Sequence, residues 1–182
     1  MPEARLERHE SGGFGPATDG WFVLNVGDVV WFDDPNLGAS TVFETPDARF
    51  TGLGINIQVL LPGQPNGMYH GEDIQEDFLV LAGECLLLVE EEERRLKQWD
   101  FVHCPPGTNH IFVGAGDGPC VILMTSPRAP GHAIHYPVSE LALRHGAGVE
   151  TPTDKPAEAY ANQPDETLTR PAYWDELPWA QA

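Results

Sequence analysis

From Trp21 onward, apolar and polar positions alternate in short runs bounded by glycine and proline. The stretches "GWFVLNVGDVVWF" and "TVFETPDARFTGLGINIQVLLPG" mix β-branched and aromatic residues with turn formers. "FLVLAGECLLLVEEEERRLKQWDFVHCPPGTNHIFVGAGDGPCVILMTSP" carries the same texture to about Pro127. This is the pattern of strands and hairpins, and it predicts an all-β body. The run Glu90 to Glu93, followed by Arg94 and Arg95, lies between two apolar segments and predicts a solvated hairpin end. Four adjacent glutamates alternate across a strand, so they do not converge on one ion. After Pro137 the period changes. "VSELALRHG" predicts one short helix, with Ser139 as N-cap and Gly146 at the stop position.

These shifts divide the chain into an N-terminal arm (residues 1–20), a β-barrel (21–136) and a C-terminal helix with an acidic, proline- and aromatic-rich extension (137–182). The arm is polar and glycine-containing, and is expected to be loose. From Glu150 the tail carries seven acidic residues against Lys155 and Arg170, a composition that by itself predicts disorder. It also holds Tyr160, Tyr173, Trp174 and Trp179, which are costly to leave in water. "AYWDELPWA" is therefore expected to pack on the barrel or on a second subunit.

Length and composition narrow the class. The 182 residues suit one domain with a core that needs no staples. A net charge of −18 with only 10 Lys and Arg opposes nucleic acid and anionic membranes, leaving small molecules or proteins as partners. Cys85, Cys104 and Cys120 form no C-x-x-C pair and read as reduced, buried thiols. The opening "MPEARLERHESGG" has no apolar h-region, and no run approaches membrane-spanning length, so a cytoplasmic location is expected.

The candidate chemistry begins in "YHGEDIQE", residues 69 to 76. On one straight strand His70 and Glu76 would lie roughly 20 Å apart, at about 3.3 Å per residue. A site containing both requires the chain to reverse after Glu72, and Gly71 and Asp73 supply turn residues. A hairpin then returns Glu76 beside His70. A second contributor lies in "WDFVHCPPGTNHIFV", where Pro105, Pro106 and Gly107 force a turn and His110 starts the next strand. Two imidazoles and a carboxylate suit iron(II), manganese, nickel or zinc and leave coordination positions open. By alternation Met68 shares a face with His70, Phe78 with Glu76, and Phe112 with His110. These three read either as the apolar lining of a small-molecule pocket or as ordinary barrel core. His103 reads as structural or surface. His132 and His135 have ligand-like spacing with no evident set to complete.

The two segments resemble the paired motifs of the cupin superfamily. Its first motif runs glycine, five residues, His-x-His, three or four residues, Glu, six residues, Gly. Here Gly63 is followed after six residues by His70-x-Glu72, then three residues, Glu76, six residues and Gly83. The second motif runs Gly, five residues, Pro-x-Gly, two residues, His, three residues, Asn. It corresponds to Trp99, Pro105-x-Gly107, His110 and Gly114. Glu72 stands in place of the second histidine, Trp99 of the opening glycine and Gly114 of the closing asparagine.

The resemblance implies a cupin-type double-stranded β-helix (jelly-roll) barrel with a short C-terminal helix and extended tail, and an isologous homodimer. It implies one divalent transition metal per chain (Fe, Mn, Ni or Zn) on His70, Glu76 and His110, with Glu72 a fourth ligand or a nearby base. The activity expected first is an iron(II)-type dioxygenase acting on a small organic molecule. A non-redox cupin lyase, decarboxylase or isomerase is the alternative on the same site, and a small-molecule binding or sensor module is the alternative without catalysis.

Overall fold

The alternating segments form strands at β1 (Leu6–Arg8), β2 (Phe14–Pro16), β3 (Phe32–Asp34), β4 (Gly38–Val42), β5 (Leu53–Leu60), β6 (Gly71–Glu72) and β7 (Glu76–Ala82). They continue as β8 (Glu84–Val89), β9 (Glu92–Lys97), β10 (Phe101–Cys104), β11 (His110–Ala115), β12 (Cys120–Pro127) and β13 (Ile134–His135). The structure, a computed structural model, describes residues 1–181. The last residue of the expected C-terminal extension lies outside the described residues.

A six-stranded antiparallel sheet in the order β10-β7-β12-β5-β4-β3 packs against a three-stranded sheet, β11-β8-β9. Phe78 and Val80 of β7, Leu87 of β8, Phe112 of β11 and Ile122 of β12 fill the space between them. Their partners alternate outward, as a two-residue period requires. The sheets do not close on each other, so the expected jelly roll is an open sandwich rather than a complete barrel.

Both outer faces are covered by the chain's C-terminal part. The helix α1 (Glu140–Arg144) lays Leu141 and Ala142 on Tyr69, Leu88, Ile111 and Val113. Its Ser139 cap accepts from Ala142 N at 3.1 Å, and Gly146 ends it at φ 70°, as the sequence predicts. On the other sheet Leu177, Tyr173, Trp174 and Trp179 pack around Trp31, whose ring lies 5.1 Å from that of Trp179 and 5.5 Å from that of Trp174. The tail's aromatics thus outweigh its charge. Burying Leu177 alone contributes about 2 kcal/mol.

Two local expectations change. The N-terminal arm is not loose: β1 and β2 pair as a hairpin, which Thr45 Oγ1 holds by donating to Pro16 O at 2.6 Å. The β8–β9 turn is made by Glu90 and Glu91, with φ of 47° and 64°, a conformation usually left to glycine or asparagine. Neighbours brace it: Glu90 N donates to Asn109 O at 3.0 Å, and Glu91 N donates to Tyr69 Oη at 3.3 Å. All three cysteines are buried without disulfides, and no helix among the described residues is long and apolar enough to cross a membrane.

Candidate metal centre

His70 and His110 sit directly opposite each other on neighbouring antiparallel segments. His110 N donates to His70 O at 2.8 Å and His70 N to His110 O at 3.2 Å, so their side chains project to one face. The rings are 5.2 Å apart. Each is oriented through the carbonyl two residues earlier: His70 Nδ1 donates to Met68 O at 2.7 Å, and His110 Nδ1 to Thr108 O at 3.0 Å. A carbonyl only accepts, so Nδ1 carries the proton and both Nε2 lone pairs face the site.

Glu76 arrives from the facing sheet. Its strand β7 pairs with β10 and β12, and β6 pairs with β13 through Ile134 opposite Glu72. The expected hairpin between the two segments is therefore not a ladder but a crossing from one sheet to the other. The reason is long-range: Asp73 N donates to Ala133 O at 3.0 Å and Asp73 Oδ1 accepts from Ala133 N at 2.8 Å, which draws residues 71–73 outward onto the 133–135 segment. Gly107 N, donating to Glu72 O at 2.6 Å, clasps the same stretch from the Pro-Pro-Gly turn.

One donor atom from each of His70, Glu76 and His110 lies within 4.8 Å of the others, and His110 Nε2 is 3.5 Å from Glu76 Oε2. Donors bound at about 2.1 Å to a single ion stand roughly 3.0 to 3.4 Å apart, so the 3.5 Å pair already has that spacing. Burial and then the neighbouring His70 push His110 down to about 4, and burial lowers His70 as well. Both imidazoles are therefore held neutral, the form a metal ligand requires. Burial, then the charge of Glu72, pushes Glu76 up to about 7. A cation binding there would compete with the Glu76 proton alone. The donor set fits a divalent transition metal.

Glu72 stands outside this convergent trio. Its carboxylate spans two histidines, with Oε1 3.9 Å from His70 Nε2 and Oε2 3.5 Å from His132 Nε2. His132 is thus given a partner that its spacing in "GHAIH" does not reveal, while His135 pairs with Asp154. His103 pairs with Asp77 at 2.7 Å on the surface, and Gln75 donates to the same carboxylate.

A cavity of about 330 Å³ adjoins the trio, lined by Phe78, Asn56, Gln58, Asn66, Met124 and Arg128 among others. Phe78, its ring 5.1 Å from His110, lines it as its alternation predicts. Phe112 is fully buried behind Phe78, at 4.7 Å, and is core. Met68 lines a different cavity, beside Leu143 and Ala159 under the C-terminal segment. Alternation puts Phe78 and Phe112 on the right face but does not say which stands in front, and it fails for Met68, which precedes β6 and lies outside any regular strand. Sequence reasoning misses Gln58, Asn66 and Arg128, because amides and a single arginine carry no motif.

The departures from the motif pattern have structural reasons. Trp99, where glycine is usual, keeps the left-handed backbone, with φ 76°. Gly114, where asparagine is usual, has no room for a side chain: a Cβ would lie 2.2 Å from Leu61 O. Asn66 ties this region instead, its Oδ1 accepting from Phe112 N at 2.8 Å.

The cupin domain family matches residues 56–126. No curated protein matches the chain in sequence. Among solved structures, it is similar to a cupin-superfamily sugar phosphate isomerase from Silicibacter pomeroyi, with 26% identity, TM-score 0.46, and 50% of this chain and 60% of that one covered. It is also similar to the DMSP lyase DddQ from Ruegeria pomeroyi, with 21% identity, TM-score 0.44, and 72% and 59% covered. The polyketide cyclase RemF from Streptomyces resistomycificus superimposes with TM-score 0.53 at 17% identity, covering 62% of this chain and 84% of that one. At that identity the likeness to RemF is one of fold. The chain spans only about three-fifths of the length of the isomerase and of the lyase. The family match takes in His70, Glu76 and His110 together with the strands that join them, so residues 56–126 form a cupin domain that holds the candidate site.

Proposed function

We propose that this protein is a metal-dependent enzyme acting on a small organic molecule in the cavity beside His70, Glu76 and His110. The observation that carries the reading is the convergence of two backbone-anchored imidazoles and one carboxylate within 4.8 Å, on a cavity large enough for a substrate. Iron, manganese, nickel or zinc bound there supplies Lewis acidity, and iron(II) adds oxygen chemistry. With three protein donors, positions stay open, which favours a dioxygenase as the first reading. His70 and His110 hold their orientation through Met68 O and Thr108 O. Phe78 excludes water from one side, and Glu72, off the cavity wall but 3.9 Å from His70 Nε2, accepts a proton from the end of the substrate that reaches His70.

Glu72 also favours the second reading, a non-redox lyase, decarboxylase or isomerase, because a positioned base beside a Lewis acid suffices for proton abstraction. The test is elemental analysis of untagged protein, followed by turnover of a small-molecule panel with and without oxygen. Metal lost in His110→Ala and Glu76→Ala supports the centre, and metal kept at full occupancy in both would sink it. Undiminished anaerobic turnover selects the second reading. Tight ligand binding with no product selects a binding module.

We further propose an isologous homodimer in the cytoplasm. Buried thiols without disulfides support the compartment. Of the sheet edges, β3 is covered by the tail through Asp33 and Thr167, and β9 is charged. The edge strand β10 instead leaves Phe101 64% exposed, with Trp99 beside it 67% exposed. Light scattering should give a dimer for wild type and a monomer for Trp99→Gly/Phe101→Ser. An unchanged mass in the variant would refute this interface.

A further inference from the structure

Arg128 is the one Lys or Arg among the described residues that lines the cavity beside the trio, in a chain with ten such residues against 28 acids. Its position is built. The backbone N donates to Gly52 O at 3.1 Å, and Nη2 pairs with the Glu44 carboxylate. Glu44 is itself fixed, its Oε2 accepting from Phe50 N at 2.8 Å. Across the cavity wall the guanidinium lies over Gly54, where a Cβ would stand 3.2 Å from both Cζ and Nε. A bare glycine gives the head group its room.

An arginine offers five N–H donors, and the contact to Glu44 uses the Nη2 end. Nε and Nη1 have no acceptor among the described residues. One nearby amide is arranged the same way, whereas Gln58 already gives its NH₂ to Leu37 O at 2.8 Å and Asn66 O at 3.3 Å. Asn66 commits its oxygen to Phe112 N, which leaves its NH₂ only a 3.8 Å contact to Met124 Sδ. Apart from Glu76, which belongs to the trio, no carboxylate among the described residues lines the space. The free donors of Arg128 and Asn66 select an acceptor-rich ligand, and Nε or Nη1 together with the second hydrogen of Nη2 still offers a fork that matches a carboxylate in particular.

We infer that the substrate is a small organic acid whose carboxylate is bound by Arg128 while its reacting end faces His70, Glu76 and His110. The inference rests on the reading of this cavity as the reaction site and names the substrate class. The volume, about 330 Å³, is at the small end of ligand sites and suits an acid of a few carbons. Glu44 positions Arg128 and balances its charge, so selectivity comes from donor geometry rather than from net field.

The experiment is calorimetric titration of malonate, succinate and citrate, with glycerol and xylitol as neutral controls, into metal-free and Mn(II)-loaded protein. Mn(II) affinity is measured separately by electron paramagnetic resonance. At least one acid should bind wild type about tenfold or more tighter than Arg128→Gln, the scale of a charge-assisted hydrogen bond, with partial recovery in Arg128→Lys. Gly54→Ala, which crowds the guanidinium without touching the trio, should weaken the same acid about threefold. Mn(II) affinity should be unchanged in all three variants. Acids that bind only through the metal, equally in wild type and Arg128→Gln, or polyols that bind as well as acids, would overturn the inference while leaving the metal centre standing. Arg128-dependent acid binding in a protein that takes up none of Mn(II), Fe(II), Ni(II) or Zn(II) would keep the acid site and remove the metal reading.

Discussion

Two histidine–carboxylate clusters lie on opposite sides of residues 70 to 73, and they differ in everything but composition. The inner one has His110 buried and His70 and Glu76 half-buried, its rings are locked by backbone carbonyls, and burial favours the uncharged form of each group. The outer one pairs His132 with Glu72 and His135 with Asp154 beside an open surface hollow, and the His132 and His135 side chains are 40% and 53% exposed. Spacing alone gives "GHAIH" a ligand-like pair with no evident set to complete. Imidazole burial and fixed lone pairs, which spacing does not encode, make the inner cluster the candidate metal centre and leave the outer histidines in solvated ion pairs.

The strongest way to break this contrast is to delete one histidine from each cluster. His110→Ala should abolish turnover and weaken metal binding more than about a hundredfold, beyond the loss typical of an outer-shell partner. His132→Ala should leave metal stoichiometry unchanged. Glu72, which touches both clusters, has the next largest effect. Glu72→Gln should lower turnover by about 10²- to 10⁴-fold, the range for a general base, while metal affinity changes less than about tenfold. Metal lost with Glu72 would make it a ligand instead.

Much of this is legible in the sequence because its signals are local. Alternation marks the strands, the Pro-Pro-Gly turn places His110 at the start of β11, and Gly71 with Asp73 announces the reversal that Glu76 requires. The direction of that reversal is not local. It depends on Ala133, sixty residues after Asp73, and the same contact brings in His132. Phe112 and Phe78 read alike in sequence, and only packing decides that one backs the other. The tail's acids are as visible as its tryptophans, but its order depends on Trp31, far upstream, having a face to offer.

The charge states of the inner cluster give a pH test of intermediate size. Glu76, at about 7 in the metal-free fold, must shed its proton to bind a cation, whereas His110, at about 4, is already neutral. Between pH 5 and 7, metal affinity should rise by up to about tenfold per unit, with release of about one proton seen by calorimetry in buffers of different ionisation enthalpy. The stability of the metal-free protein follows with the opposite sign. A carboxyl raised by folding favours the fold below its unfolded value of 4.5, and that contribution disappears as pH rises through 7. The melting temperature of Glu76→Gln relative to wild type should therefore climb from pH 4.5 to 7 and level off above it. A constant difference would mean that Glu76 is not the displaced proton.

The smallest effect belongs to the outer cluster and sharpens the contrast from the other side. His135 Nδ1 meets Asp154 Oδ1 at 2.5 Å, a geometry that looks strong, yet both side chains are more than half exposed. Water screens such a pair and both side chains lose freedom to make it, so His135→Ala should change stability by less than about 0.5 kcal/mol. Even that should fade as the ionic strength approaches 1 M, where the screening length is about 3 Å. Metal content should not move at all. A His135→Ala protein that lost its metal would show that the exposed pair holds the ion and that burial is the wrong criterion for choosing between the two clusters.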